Sequence, residues 1–235
     1  MLQSACLVKA TGERISAPEF RPTGWHPASV PSTVVAALVA DKTYPDPFFG
    51  MNLRSIPGTT YSIGKNFAEL PMPRDSPFRC SWWYRTEFLL PENYAGRHVS
   101  LNFSGINYRA NIWINGRKLA GAEDVAGTFR TYEFEVTSLL VAGHPNVLAV
   151  ETFAQTETDL GINWQDWNPA PPDKNMGLYS DVYLHASGPV TIRHPEVITH
   201  FLDASLADAD LRASRRDMQN FTAREGVELR RVHVA

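Results

Sequence analysis

The chain has 235 residues, 43% of them hydrophobic and 20% charged, with 22 basic residues against 25 acidic ones. That apolar content excludes a disordered chain, and the near balance of charge offers no footprint for nucleic acid and no polybasic patch for a membrane surface. Apolar runs fall well short of the roughly 18 residues a membrane helix needs. The start, MLQSACLVKATGER, lacks the basic stretch and apolar core of a leader peptide, and localisation stays open. Seven His and two Cys are too few and too scattered for a metal framework, so neither metal nor other cofactor is expected. Cys6 and Cys80 could pair, but their spacing does not demand it, and ordinary buried thiols are the expectation.

In chain order, PSTVVAALVA is the one stretch that reads as a helix, with Ser32 as N-cap and a stop near Asp41. Residues 41–81 show no sustained period. WWYRTEFLLP then alternates, with Trp82, Tyr84, Thr86 and Phe88 on one face and Trp83, Arg85 and Glu87 on the other. HVSLNFSG places Val99, Leu101 and Phe103 together. YRANIWINGRKL alternates as well, and its Asn115-Gly116 pair predicts a two-residue hairpin, because both residues tolerate the positive φ of a type I′ turn. FRTYEFEVTSLL groups Tyr132, Phe134 and Val136. NVLAVETFA is apolar on both faces at its start, as a strand between two layers would be. YSDVYLHASG and PVTIRHPEV complete the set.

About seven strands joined by short turns predict an all-β fold, an antiparallel β-sandwich of jelly-roll type with one short helix. The sandwich is expected over residues 1–199. From about Phe201 the sequence loses sustained alternation and gains charge, so residues 200–235 are set apart as a separate element.

Two segments exceed what a minimal sandwich needs: residues 41–81 and the loop TETDLGINWQDWNPAPPDKNMG between residues 156 and 177. Connections longer than about 12–15 residues are usually functional or disordered. Pro169, Pro171 and Pro172 stiffen the second loop, which also carries Trp164 and Trp167. Indole faces pack on the C–H faces of sugar rings, while Asp166, Asn168, Asp173 and Asn175 supply the acceptors and donors that hydroxyls need. The competing interpretation is that the two Trp plug the end of the sandwich while Asp and Asn cap turns. Asp166 and Asp173 as a catalytic carboxylate pair would need a separation of about 5–9.5 Å, and seven residues of spacing alone are weak support. No Gly-x-Ser-x-Gly elbow, phosphate-binding Gly loop or zinc-spaced His pair is present.

The ordered series WHPASVPSTVVAALV, YPDPFFGMNLRSIPG, WWYRTEFLLP, GINYRANIWINGRKL and WQDWNPAPPDKNMGLYSDVYLHASGPVTI resembles the N-terminal sugar-binding domain of glycoside hydrolase family 2. The nearest subgroup is that of the exo-β-glucosaminidase and β-mannosidase-like enzymes. The resemblance implies a galactose-binding-like jelly roll, followed in the parent by immunoglobulin-like domains and a (β/α)₈ barrel that carries both catalytic Glu residues. It implies metal-independent, retaining hydrolysis of a β-linked glycan of glucosamine or mannose type. It also implies that the loop Asp166–Asn175 borders the pocket for the terminal sugar. Asp166, Trp167 and Asn168 are the first candidates for that contact, with Asp173 next, then Trp164, and Asn52 and Arg54 from the earlier irregular segment. A barrel takes about 250 residues, so this chain is expected to carry no catalytic residue. Residues 200–235 would be the truncated start of an immunoglobulin-like domain. The alternatives are a free-standing carbohydrate-binding module and a non-functional fragment.

Overall fold

The structure, a computed structural model, describes residues 1–59, 71–162, 170–202, 204, 209–220 and 232–233. It resolves into two compact units, Met1–Ala95 with Ser100–His185, and Gly96–Val99 with Ala186–Ala235. The elements, in chain order, are β1 (Leu2–Ser4), α1 (Gly12–Ile15), β2 (Ser32–Thr33), α2 (Val34–Ala40), β3 (Trp82–Leu89), β4 (His98–Phe103), β5 (Arg109–Ile114), β6 (Arg117–Ala120) and β7 (Tyr132–Glu135). There follow β8 (Pro145–Phe153), β9 (Gly177–Leu178), β10 (Val182–Ser187), β11 (Val190–Phe201), β12 (Ala209–Asn220) and β13 (Val232–His233).

The first unit is built on a five-stranded sheet in the order β1-β3-β8-β5-β6 and a three-stranded sheet in the order β10-β4-β7. Period-two alternation explains the packing of both. Along β3, Tyr84 pairs in register with Val150 of β8, which in turn faces Ile112 of β5, and all three are buried on one face. The opposite face presents Trp83, Ala149 and Trp113, also buried. It is covered by the N-terminal segment: Ile15 and Trp25 join that cluster, with Ala5, Val8, Ala10 and Phe20 packed against it. The Trp83 and Trp113 rings lie 5.2 Å apart, and an aromatic pair of this kind adds about 1 kcal/mol to its area burial. Both faces of β8 and of the Trp82–Arg85 half of β3 are therefore covered, which is why NVLAVETFA lacks a polar side.

The Asn115-Gly116 hairpin forms as expected, with φ of 49° and 79° joining β5 to β6. The helix differs by one residue from its expected start. Thr33, not Ser32, caps α2, its hydroxyl oxygen accepting from the Ala36 amide at 3.2 Å. Ser32 is taken up by the two-residue pairing with β9, opposite Leu178. A second, one-turn helix, α1, went unrecognised because Gly12 begins it; a Cβ there would lie 2.2 Å from the Trp113 ring.

The cysteines also depart from expectation. Cys6 and Cys80 form a disulfide with their Cα atoms 5.9 Å apart, and Cys6 is exposed rather than buried. The pairing of β1 with β3 brings the two together, since Ser4 stands opposite Trp82 and the Ala5 amide donates to Ser81 at 2.9 Å.

A cavity of about 460 Å³ opens between the two sheets, lined by Tyr84, Phe88, Leu101, Leu148, Val150 and Tyr183 among others. Its walls are mostly hydrocarbon. A hydroxyl-rich ligand would lose more water there than such walls could replace with hydrogen bonds.

In the second unit, β11 and β12 form a long antiparallel ladder from Val190↔Asn220 to Phe201↔Ala209, and β13 pairs with β12. The expected boundary near residue 199 falls inside β11. Strand β12 forms although the alternation of Ala209, Leu211 and Ala213 is not sustained beyond Ser214, because ladder pairing is made by backbone groups and needs no side-chain period.

Candidate functional site

The loop that leaves β8 at Phe153 and returns at β9 is held at both roots by side chains from elsewhere in the first unit. On the outgoing root, the Asp159 carboxylate accepts from the Thr156 amide and hydroxyl at 2.8 and 2.9 Å. Arg109, at the start of β5, then grips both its oxygens at 2.5 Å. The guanidinium lies 4.8 Å above the Tyr108 ring. These Arg109 bonds hold the Asp159 carboxyl down at about 2, so its stabilisation is present above the ordinary carboxylate range and fades as pH falls towards that value. Gln155 Nε2 donates to the Ile162 carbonyl at 2.8 Å.

On the returning root, Asp173 is fully buried. One carboxylate oxygen accepts from the Val35 amide at 2.7 Å, in the first turn of α2, and the other from the Asn175 amide at 2.9 Å. Met176 accepts from the Val34 amide at 2.8 Å, which ties the same turn to the same helix. Gly177 comes next, where a Cβ would lie 2.5 Å from the Tyr84 hydroxyl and 2.8 Å from the Ser32 carbonyl. Lys174 joins the two roots through Glu157 at 3.2 Å. Beside this ion pair lies a cleft of about 260 Å³ whose lining includes Phe78, Ser81, Phe153 and Gln155.

Burial pushes the Asp173 carboxyl up to about 6, against the pull of the Val35 and Asn175 amides and the Thr33 hydroxyl. Burial also raises the nearby Tyr84 hydroxyl, with the charge of Asp173 adding to it. The sign follows from which form burial favours. Protonated Asp173 fits the folded state, so its contribution is full below pH 4 or so and is lost as pH rises through about 6. The loss is on the order of 3 kcal/mol. Urea unfolding between pH 4.5 and 7.5 should therefore show a steeper decline in the parent chain than in Asp173→Asn. Equal slopes in the two proteins would defeat this account of the carboxyl.

Of the residues singled out from the sequence, Trp164, Asp166, Trp167 and Asn168 lie outside the described residues. Asp173 is brought to the base of their loop, with its carboxylate closed off from solvent and committed to two backbone amides. Asn52 and Arg54 sit half-buried in a 3-10 turn, Asn52–Ser55, where Asn52 Nδ2 donates to the Asp46 carbonyl at 3.0 Å. Among the described residues, no hydrogen bond or ion pair joins either of them to the 156–177 loop. Arg109 and Asp159 were not anticipated. Arg109 reads from the sequence only as the polar start of a strand, and Asp159 as one acid among several in a loop. Among the described residues no group of three or more His, Cys, Asp or Glu is placed to hold a metal ion.

Residues 74–176, which run from before β3 through β8 to the returning root of this loop, match the family model described as glycosyl hydrolase 2 galactose-binding domain-like. Those residues match the galactose-binding-like domain of glycosyl hydrolase family 2. The exo-β-D-glucosaminidase of Streptomyces avermitilis is 35% identical to this chain over 92% of its length, and that match takes up 22% of the relative. The mannosylglycoprotein endo-β-mannosidase of Lilium longiflorum is 30% identical over 76% of the chain and 19% of its own length. The crystal structure of Amycolatopsis orientalis exo-chitosanase CsxA superposes with a TM-score of 0.79 at 31% identity, covering 94% of this chain and 24% of that one. The chain thus spans about a fifth to a quarter of the length of these relatives, corresponding to the galactose-binding-like domain at their N-terminal end.

Proposed function

We propose that this chain is the non-catalytic, glycan-contacting domain of a retaining β-glycosidase. Residues 200–235 would begin an immunoglobulin-like domain, and hydrolysis would belong to a barrel in the parent enzyme. The observation that carries this is the match of nearly the whole chain to a fifth or so of exo-β-D-glucosaminidases. The 156–177 loop supports the same role. Its two roots are fixed by buried polar groups, and between them the sequence places Trp164, Asp166, Trp167 and Asn168, the residue types that stack on and bond to a pyranose. Asp173 serves the loop by anchoring it to α2 rather than by touching sugar, since its oxygens are already taken. The names of the relatives favour a β-linked glucosamine glycan over a mannose one.

Two measurements test this. The purified chain should give no turnover of an aryl β-D-glucosaminide above the blank, and turnover would overturn the non-catalytic assignment. Calorimetry with a β-1,4-linked glucosamine tetramer should show weak binding, near millimolar (about 4 kcal/mol), that is lost in Trp167→Ala. No heat at roughly ten times that concentration would remove the glycan-contact role.

A further inference from the structure

Asn107, two residues ahead of β5, enters the loop's returning root and is fully buried. Its side-chain Nδ2 donates to two successive carbonyls, Lys174 and Asn175, at 2.9 Å each. Its Oδ1 accepts from the Thr128 hydroxyl at 2.6 Å, which fixes which end of the amide faces the turn. Its backbone N–H and C=O both pair with Gly177, at 2.9 and 2.7 Å. Lys174 and Asn175 hold φ of 51° and 56°, two consecutive non-glycine residues in the left-handed region. Such residues each cost on the order of 1 kcal/mol and persist only where the surroundings over-determine them. Here Asp173 restrains the Asn175 amide from the α2 side while Asn107 restrains the carbonyls from the β5 side.

We infer that Asn107 is a positioning residue for the glycan-contacting loop: by bonding the Lys174 and Asn175 carbonyls it locks the left-handed turn at the loop's returning root. A buried side chain 67 residues before Lys174 in sequence then governs glycan affinity without being offered to the glycan. The inference rests on the assignment of the loop as the glycan contact, and the experiment separates the two.

The turn's own stability is read by amide exchange of residues 173–177, which needs no ligand, and the functional consequence by calorimetry with the β-1,4-glucosamine tetramer. Asn146 gives a matched control. It is equally buried and bonds Val141 and His144 through its own amide, at the far end of β8. In Asn107→Ala, exchange at 173–177 should quicken about tenfold or more relative to the β3–β8 ladder, and affinity per folded molecule should fall about tenfold. In Asn146→Ala, global stability falls while both readouts stay at their parent values. Should Asn107→Ala fail to fold, Thr128→Val removes only the hydroxyl that orients the amide and should show the same pattern at smaller size. Unchanged exchange at 173–177, or a rise no larger than in Asn146→Ala, overturns the inference. Faster exchange with unchanged affinity overturns the positioning role and removes the loop from the glycan site. If the parent chain binds no glycan, the loop assignment fails on its own, and the exchange result still decides whether Asn107 locks the turn.

Discussion

Arg85→Ala is expected to lower the unfolding free energy by roughly 3–5 kcal/mol, among the largest effects of a single side chain in this fold. The guanidinium sits on β3 with its side chain 2% exposed. It donates to the Ile15 carbonyl at 2.9 Å and to Ala17 and Phe20 at 3.4 Å each, and lies 5.8 Å from the centre of the Phe20 ring. Its ion pair with Glu87 at 2.8 Å contributes little, because that partner is 47% exposed. What the Arg supplies is donors for three carbonyls of the N-terminal segment, of which that of Ile15 is buried and those of Ala17 and Phe20 partly so. Losing those donors costs about 1–3 kcal/mol for each group left buried. The segment that peels away exposes Ile15, Phe20 and Trp25 in turn. Arg85→Lys should recover little of the loss, since one ammonium cannot span three carbonyls fixed for a planar fork. Urea unfolding checks both variants, and a deficit under about 1 kcal/mol in Arg85→Ala would show that the segment is held by packing alone.

That outer layer shows where sequence patterning is informative and where it stops. The alternation in WWYRTEFLLP correctly separates Trp82 and Tyr84 from Trp83 and Arg85. Period two says which residues share a face but not whether the other face meets water, and here residues 5–25 cover it. Arg85 consequently looks solvent-facing in the sequence and is buried in the fold. The Asn115-Gly116 turn was legible because its chemistry is local to two residues. The disulfide was not, because it depends on β1 pairing with β3 across 74 residues.

The functional loop divides in the same way. Its composition suggests the sugar contact proposed for it, and its position between β8 and β9 follows from the strands that flank it. The groups that hold it, Arg109, Asp159, Asp173 and Asn107, converge from three parts of the chain. Nothing in their spacing announces the convergence. Asp173 shows the consequence: Asp beside Asn and Trp suggests a hydroxyl ligand, while its actual partners are the Val35 and Asn175 amides.

Reduction of Cys6–Cys80, or the double substitution Cys6→Ser with Cys80→Ser, should destabilise the chain by about 4 kcal/mol while leaving the fold intact. The magnitude comes from the unfolded state. The bond closes a loop with a sequence separation of 74, and opening it restores the chain entropy that closure removes. The folded state has other reasons to keep the same ends together. Leu2, Gln3 and Ser4 pair with Tyr84, Trp83 and Trp82, and the Ala5 amide bonds Ser81. The expected signature is therefore a lower urea midpoint with a larger denaturant dependence, because a longer free chain exposes more surface on unfolding. Near-ultraviolet dichroism from the buried Trp83–Trp113 pair should stay unchanged. Cys6 is exposed, so mild thiol reagents should reach the bond without prior unfolding. A reduced chain that unfolds at the same midpoint as the oxidised one would mean that β1 stays docked on β3 in the unfolded ensemble. A reduced chain that loses its near-ultraviolet signal would instead mean that the bond, rather than the β1–β3 ladder, holds the N-terminal layer to the sheet.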